Sequence, residues 1–276
     1  MKIFTEPKKL QKWCRTQGKA GKKIALVPTM GYLHEGHLSL IEKAKRKGAD
    51  EIVVSVFVNP VQFCPGEDYE KYPRDEKADL AKCRKAGATA IFFPTPQNMY
   101  LDRHSVYVNE EDLSKGLCGA RRPGHFRGVC TVVAKLFNLT HPDFAVFGQK
   151  DYQQAQIIKR MVRDLNFDLE VVVAPIVREP SGLARSSRNT YLSAEERERA
   201  LAISRGLKGL KGLKGLKGSK GLKGLRSELE KAGLKVDYVE CVDAETLEPR
   251  KKIAKGCCVL VAAYDGKTRL IDNILM

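Results

Sequence analysis

Two histidines, His34 and His37, stand three residues apart in the stretch PTMGYLHEGHLSL (residues 28–40), directly after the apolar run KIALV. A glycine-containing turn from a strand into a helix exposes backbone N–H groups and the positive end of the helix dipole, which attract phosphate oxygens. Gly31 and Gly36 would let the backbone come close to such an anion. Imidazoles placed there can donate hydrogen bonds to charge that develops on phosphorus during a displacement. The stretch therefore indicates a phosphate site, and catalysis by the histidines is one interpretation of it.

Two other interpretations of the histidine pair stay open. Histidine is a common zinc ligand, but H-E-G-H is one residue shorter than the H-E-x-x-H spacing of metalloproteases, and no third ligand is evident. The two histidines would instead be structural if they only capped the helix. A tetrapeptide does not decide between capping and catalysis. The metal ligands, if there are any, stay unassigned.

The elements that would hold this stretch follow an alternating pattern. Five β-rich apolar runs are separated by segments of helical period such as LSLIEKAKRKG and VCTVVAKLFNL. The runs are IALVP (24–28), IVVSVFVNP (52–60), AIFFP (90–94), FAVFG (144–148) and LEVVVAP (169–175). Strands that are apolar throughout and spaced by helices predict an α/β fold with a parallel sheet covered on both faces. Such sheets bind ligands beyond the carboxyl ends of their strands.

The pattern changes after residue 175. A loop, REPSGLARSSRN, leads to a helix start at which Ser193 and Glu196 match a capping box. Two or three strands follow, in VDYVECVDA, CCVLVAAY and TRLIDNIL. We therefore predict a first domain at residues 1–175 and a smaller α+β lid domain at 176–276.

A repeat of glycine, leucine and lysine occupies residues 206–225 of the second domain. It has glycine at every third place but no proline to support a collagen helix. Each glycine inside an α-helix costs about 1 kcal/mol relative to alanine. The repeat therefore predicts a weakly ordered linker or a frayed helix, in preference to a membrane or nucleic-acid arm.

Composition limits the class of protein. With 276 residues, 43% of them hydrophobic, the chain can build one large core or two modest ones. No apolar run approaches the ~18 residues of a membrane span, and the N-terminus lacks a secretory signal, so we predict a cytoplasmic protein that binds no membrane. The eight cysteines contain no C-x-x-C pair, which favours reduced packing thiols. The formal net charge of +16 is concentrated, because six lysines lie in the repeat.

The histidine stretch resembles the H-x-G-H signature of the nucleotidyltransferase superfamily, whose members bind ATP on a Rossmann-like sheet. The longer string PTMGYLHEGHLSLI is similar to the pantothenate synthetase (pantoate–β-alanine ligase) family. Further stretches agree in the same order along the whole chain: VSVFVNPVQF, RPGHFRGV with VVAKLFN, FGQKDYQQ and SSRNTYLS. The resemblance implies ATP-dependent condensation of (R)-pantoate with β-alanine through an enzyme-bound pantoyl adenylate, giving pantothenate, AMP and pyrophosphate. It also implies Mg²⁺ with ATP and a homodimer.

The resemblance further implies the residues of the site. ATP would be bound by four segments: Met30, Gly31, Tyr32, Leu33, His34, Glu35, Gly36 and His37; Gly148, Gln149, Lys150 and Asp151; Val177; and Arg185, Ser186, Ser187 and Arg188. Catalysis would fall to His34, His37, Lys150 and Arg188, with His37 in the proton-donor position. Pantoate and β-alanine would be bound by Gln62, Gln154 and Asn59.

Three positions depart from the family's usual residues. The family usually has glutamate at the position of Gln149, aspartate at that of Ser181 and methionine at that of Arg185. All three changes make the region more positive, and none removes a residue assigned to chemistry.

Two rival functions stay open. One is an adenylyltransferase of the same superfamily that acts on a nucleotide or on phosphopantetheine, but NPVQF and FGQKDYQQ favour contacts to a small acid. The other is a nucleic-acid-binding module, suggested by charge alone. The sequence has no interleaved pattern of aromatic and basic residues, so we predict no specific nucleic-acid partner.

Overall fold

The structure, a computed structural model, describes residues 1–211 and 218–276. These residues form two compact units. The first unit comprises Met1–Gln149 and Ile157–Pro175, and the second comprises Lys150–Gln156 and Ile176–Met276. Residues 150–156, which we predict in the first domain, group with the second unit.

A six-stranded sheet in the order β1-β4-β3-β2-β5-β6 forms the centre of the first unit, and all its neighbouring strands are parallel. The strands are β1 (Lys2–Phe4), β2 (Ile24–Thr29), β3 (Glu51–Val56), β4 (Ala90–Phe92), β5 (Phe144–Gly148) and β6 (Glu170–Ala174). The five predicted runs lie in β2 to β6, and the prediction of a parallel α/β sheet is confirmed. All six residues of β3 are buried, as expected for a strand covered on both faces.

The helices of this unit follow local signals. They are α1 (Pro7–Lys19), α2 (Glu35–Arg46), α3 (Glu76–Ala86), α4 (Pro96–Met99), α5 (Leu117–Arg121), α6 (His125–Thr140) and α7 (Tyr152–Asp164), the last of which begins in the second unit. Asp75 caps α3 by accepting a hydrogen bond from the N–H of Ala78 at 2.9 Å. Gly87, at φ +92°, ends the same helix in the left-handed conformation.

The register of β2 against β3 brings two loops together. Thr29 at the end of β2 lies opposite Val56 at the end of β3. Because the strands are parallel, residues 30–37 and 57–62 leave the sheet at the same edge. This edge is where parallel sheets bind ligands.

The second unit contains an antiparallel sheet in the order β7-β8-β9. Its strands are β7 (Lys235–Asp243), β8 (Cys257–Asp265) and β9 (Thr268–Leu275), and its helices include α8 (Ala194–Lys211) and α9 (Gly218–Lys231). The predicted capping box is confirmed: the N–H of Glu196 donates to Ser193 Oγ at 3.2 Å, and the N–H of Ser193 donates to Glu196 Oε2 at 2.8 Å. The prediction of a small α+β unit is also confirmed.

The glycine-lysine repeat is helical where it is described, up to Lys211 and again from Gly218. Leu207 and Leu225 are buried in the core of the second unit. A Cβ on Gly206 would lie 2.3 Å from Leu225 Cδ1, so the two helices approach closely at a glycine. Burial thus outweighs the poor helix propensity. The prediction of weak order falls partly on residues 212–217, outside the described residues.

The cysteines bear on the prediction of packing thiols, and the helices bear on the prediction that no segment spans a membrane. All eight cysteines are free thiols, and all except the half-buried Cys64 are buried. Burial also raises the pKa of Cys14, Cys83 and Cys130 to about 12. The burial of all but Cys64 agrees with the prediction that these thiols mostly pack in the core. No helix in the described part of the chain combines the length and the apolarity needed to cross a bilayer.

Candidate active site

The turn between β2 and α2 has an unusual backbone. Gly31 and Tyr32 both adopt positive φ, at +86° and +52°. A Cβ on Gly31 would lie 2.8 Å from Val56 Cγ1 and 3.0 Å from Asp79 Oδ2, so only glycine fits. The buried Asp79 carboxylate accepts the N–H of Tyr32 at 2.8 Å and that of Leu33 at 2.7 Å. One carboxylate from α3 therefore holds the turn in shape.

Opposing effects act on the pKa of this carboxyl group. Burial raises the pKa of Asp79 above its usual value, although the two backbone donors and the charge of Lys82 act in the opposite direction. Lys82 Nζ also donates to the carbonyl oxygen of Leu33 at 2.7 Å. The turn is thus held through its N–H groups and through a carbonyl.

The two histidines cap α2 reciprocally. His34 Nδ1 accepts the N–H of Gly36 at 3.1 Å, and His37 Nδ1 accepts the N–H of His34 at 3.3 Å. The ring centroids are 4.1 Å apart and the planes are tilted by 34°. An Nδ1 that accepts cannot carry a proton, so each neutral ring carries its proton on Nε2. The capping interpretation is correct, and it fixes which nitrogen of each ring is the donor.

Asn59 caps a short 3-10 turn, Pro60–Gln62, at the same sheet edge, and Gln62 is the last residue of that turn. The Nδ2 of the buried Asn59 donates to Gln62 Oε1 and to the carbonyl of Gly128, both at 3.1 Å. Asn59 Oδ1 accepts the hydroxyl of Tyr100 at 2.7 Å. Gln62 Nε2 lies 3.0 Å from Met30 Sδ. The structure therefore brings a predicted substrate residue next to the predicted ATP stretch.

A second set of predicted residues lies at the start of α7. Gln149–Asp151 form a 3-10 turn, and Lys150 Nζ lies 3.7 Å from Asp151 Oδ2. The carbonyl of Lys150 accepts a hydrogen bond from Asn273 Nδ2 at 3.0 Å. Gln154 is half-buried one turn further along. A residue of β9 thus holds the backbone of the predicted catalytic lysine.

The predicted loop at 185–188 is a structured turn. The N–H of Arg185 donates to the carbonyl of Val177 at 2.9 Å, which joins two predicted ATP segments. Ser186 Oγ accepts the N–H of Arg188 at 3.3 Å and caps the 3-10 turn Ser187–Tyr191. The predicted groups in this loop are therefore presented by an ordered backbone.

Two neighbouring residues of β9 support these segments. Arg178 donates to both carboxylate oxygens of Asp272, at 2.6 and 2.9 Å. Asn273, the next residue, holds Lys150. β9 therefore supports both the lysine stretch and the base of the loop.

The departures at Ser181 and Arg185 are accommodated simply. Ser181 is exposed. Arg185 Nη1 lies 3.9 Å from Glu179 Oε1, so its charge has a nearby acid. Glu179 is shared with Arg197, whose Nη1 lies 3.2 Å from Glu179 Oε2, so one carboxylate faces two cations.

Comparison with known proteins identifies the family. The family model described as "Pantoate-beta-alanine ligase" matches residues 2–275, nearly the whole chain. The chain belongs to this ligase family. The pantothenate synthetase of Myxococcus xanthus (strain DK1622) is 55% identical over 268 residues, which cover 95% of this chain and 91% of that protein.

Solved structures of pantoate–β-alanine ligases share the fold. The crystal structure of pantothenate synthetase from Thermus thermophilus has a TM-score of 0.93 at 42% identity, covering 100% of this chain and 99% of that one. That of pantoate–β-alanine ligase from Francisella tularensis, complexed with "Beta-gamma ATP" and β-alanine, has a TM-score of 0.86 at 35% identity, covering 100% and 97%. The predicted family, its Rossmann-like fold and its ligase class are confirmed.

Sequence reasoning missed the residues that support the predicted site. Asp79 and Tyr100 hold it from distant positions, and no local pattern marks their contacts. Asn273 lies in a strand that reads as ordinary core sequence. His125 belongs to RPGHFRGV, a stretch that resembles the family but received no role.

Proposed function

We propose that this chain condenses (R)-pantoate with β-alanine at the expense of ATP, through an enzyme-bound pantoyl adenylate, with AMP and pyrophosphate as products. One observation carries the proposal: the glycine turn sets two histidine rings in one tautomer, and the Gln62 amide lies beside the same turn. Family membership makes pantoate and β-alanine the substrates to test.

In the first step, the pantoate carboxylate attacks the α-phosphorus of ATP and pyrophosphate leaves. A carboxylate is already a nucleophile, so no base is needed, and positioning and electrostatics dominate such a transfer. The Nε2–H groups of His34 and His37 would donate to phosphate oxygens as charge develops on them. His37 would act as the proton donor.

In the second step, the β-alanine amine attacks the acyl carbon of the adenylate, the C–N bond forms and AMP leaves. Gln62 suits both substrates because an amide donates to a carboxylate and accepts from a hydroxyl or an ammonium group. We propose that Gln154 binds pantoate with it, and that Asn59 contributes through Gln62, to which it donates.

Phosphate charge would be neutralised by Lys150 and Arg188, which are a point cation and a planar cation. Mg²⁺ would enter with ATP, since it is usually bound by substrate phosphates and one or two carboxylates. Asp151 offers a half-exposed carboxylate next to Lys150. The bound ion would add positive charge at the phosphates. A homodimer in the cytoplasm stays a prediction from the resemblance and the composition.

Two substitutions test the assigned chemistry. His37→Ala and Lys150→Ala should each lower adenylate formation by orders of magnitude. Lys150→Ala should leave the unfolding midpoint nearly unchanged, whereas His37→Ala should lower the unfolding free energy by about 1 kcal/mol because the N–H of His34 loses its acceptor. Single-turnover quench of ATP with pantoate measures this rate. His141→Asn and Lys251→Ala are matched controls, because both side chains are exposed and lie outside the predicted site. Near-normal rates in the first pair would remove those residues from the mechanism.

An isotope experiment tests the adenylate itself. Pantoate labelled with ¹⁸O in its carboxylate should transfer one ¹⁸O to the phosphate of AMP, because the carboxylate oxygen that attacks stays on phosphorus when the acyl bond breaks. Mass analysis of AMP reads the outcome. Label in inorganic phosphate together with ADP would show attack at the terminal phosphorus and would overturn the proposal.

A further inference from the structure

We infer that His125 is a positioning residue for Gln62. In one fixed tautomer, the His125 ring holds the main-chain carbonyl of Gln62. This inference rests on the proposed function, in which Gln62 contacts the substrates. His125 is the first residue of α6 and is buried. Its Nδ1 lies 2.8 Å from the carbonyl oxygen of Gln62, and its Nε2 lies 2.9 Å from Arg122 Nη1.

The partners of the ring decide its tautomer. A guanidinium nitrogen only donates, so His125 Nε2 must accept from Arg122. The proton of a neutral ring therefore sits on Nδ1, which donates it to the carbonyl of Gln62. This tautomer is the opposite of that at His34 and His37, where Nδ1 accepts.

A glutamate fixes the arginine in turn. Arg122 Nε donates to Glu67 Oε1 at 2.6 Å and Arg122 Nη2 donates to Glu67 Oε2 at 2.7 Å. Such a bidentate pair is rigid and leaves Nη1 directed at the ring. Glu67, Arg122 and His125 thus form a chain that ends on the Gln62 carbonyl.

Both the main chain and the side chain of Gln62 are therefore held in place. A Cβ on Gly128 would lie 2.6 Å from Gln62 Cα, so α6 presses directly on this backbone. The side-chain oxygen of Gln62 accepts from Asn59. These contacts orient Gln62 Nε2 toward Met30 Sδ, and a thioether is a weak acceptor. A carboxylate is a stronger one, so the donor is oriented in advance for an acidic substrate.

Two substitutions at one position separate the two contacts of the ring. In His125→Asn the side-chain amide can replace Nδ1–H as the donor to the Gln62 carbonyl. In His125→Gln the longer side chain reaches the Nε2 position and can still accept from Arg122, but it loses the donor to Gln62. We expect His125→Asn to keep the pantoate KM within about threefold and His125→Gln to raise it by about tenfold or more. The KM for ATP should change little in either variant.

Coupling to Gln62 tests the role against a merely structural one. In the Gln62→Ala background, His125→Gln should raise the pantoate KM by less than about threefold further. An undiminished tenfold effect there, or equal effects of the Asn and Gln substitutions in the parent chain, would overturn the inference.

The wild-type chain supplies a readout that needs no variant and no activity. Long-range ¹H–¹⁵N correlation NMR of the histidine rings should show His125 protonated on Nδ1, and a proton on Nε2 would overturn the inference. Failure of the proposed function is distinguishable, since it would appear as no pantoate-dependent AMP formation in the wild type whatever the tautomer.

Discussion

The rings of His34 and His37 each use Nδ1 to accept a backbone N–H, and we propose that the proton on Nε2 serves the chemistry. Capping and catalysis are therefore compatible roles, because they fall on Nδ1 and Nε2 respectively. The spacing H-x-G-H suits this arrangement: Gly36 supplies the N–H for one ring, and the N–H of His34 serves the other. The sequence shows the motif, but only the structure shows which nitrogen of each ring contacts the backbone.

A substitution of Asp79 tests whether the turn needs the carboxylate of this residue. In Asp79→Asn only the amide oxygen can accept, so one of the N–H groups of Tyr32 and Leu33 loses its acceptor. We expect unfolding to become easier by about 1–3 kcal/mol and the KM for ATP to rise. Asp75→Asn is a matched control on the same helix, because asparagine caps as well as aspartate. An unchanged KM for ATP in Asp79→Asn would contradict the assigned role.

The pKa of Glu67 predicts how the free energy of unfolding depends on pH. Burial raises the pKa of the Glu67 carboxyl group, but the hydrogen bonds and charge of Arg122, with the N–H of Cys64, lower it more, so it lies below the usual 4.5. The ionised form is therefore favoured by folding. Its stabilisation is complete above about pH 4.5 and is lost as the pH falls through the lower folded value.

The measurement compares the wild type with Glu67→Gln by urea unfolding from pH 7 to pH 3.5. The difference in unfolding free energy should be constant down to about pH 5 and then shrink, since a protonated glutamate resembles glutamine. A difference that grows on acidification would have the wrong sign for this account.

Helix α6 positions the substrate turn as a whole element. Gly128 faces Val61 and Gln62, and a Cβ there would lie 2.4 Å from the carbonyl oxygen of Val61. Gly128→Ala should therefore raise the pantoate KM and destabilise the fold, despite the better helix propensity of alanine. Gly18→Ala in α1 is the matched control, because its Cβ would meet nothing within 4 Å. There the same change should be neutral or stabilising by up to about 1 kcal/mol.

Equal behaviour of the two glycine variants, measured by denaturant unfolding and by the pantoate KM, would show that α6 does not constrain the turn. The two positions share a helical backbone, so propensity alone predicts equal effects.

Elements and site differed in how far the sequence could predict them. The strands from β2 to β6 are mostly apolar, with few polar residues such as Ser55 in β3, so periodicity and composition were sufficient. β1 has three residues, Lys2–Phe4, too few for any pattern. A local motif predicted the histidine turn, and the resemblance to the family implied Gln62, but Asp79 and His125 act across 46 and 63 residues of chain. Such contacts depend on tertiary packing, which one sequence does not encode locally.

At the scale of the whole molecule, we expect that the lysines of the repeat add to the net charge but take no part in catalysis. The formal net charge is +16, and four lysines of the repeat, Lys211, Lys214, Lys217 and Lys220, lie outside every predicted site segment. Replacing these four by glutamine should leave kcat and all three KM values within about twofold. Retention on an anionic polymer column should weaken and depend less steeply on salt, because fewer counterions are released. A large fall in kcat would mean that the repeat has a catalytic role.

We propose that this one chain joins two small acids and converts ATP to AMP as it does so. The most direct test measures AMP and pantothenate together, by chromatography and mass analysis, with each of ATP, pantoate, β-alanine and magnesium omitted in turn. We expect pantothenate and AMP in equal amounts only when all four are present. ATP consumption that needs neither acid, or AMP formed without pantothenate in the complete mixture, would contradict it.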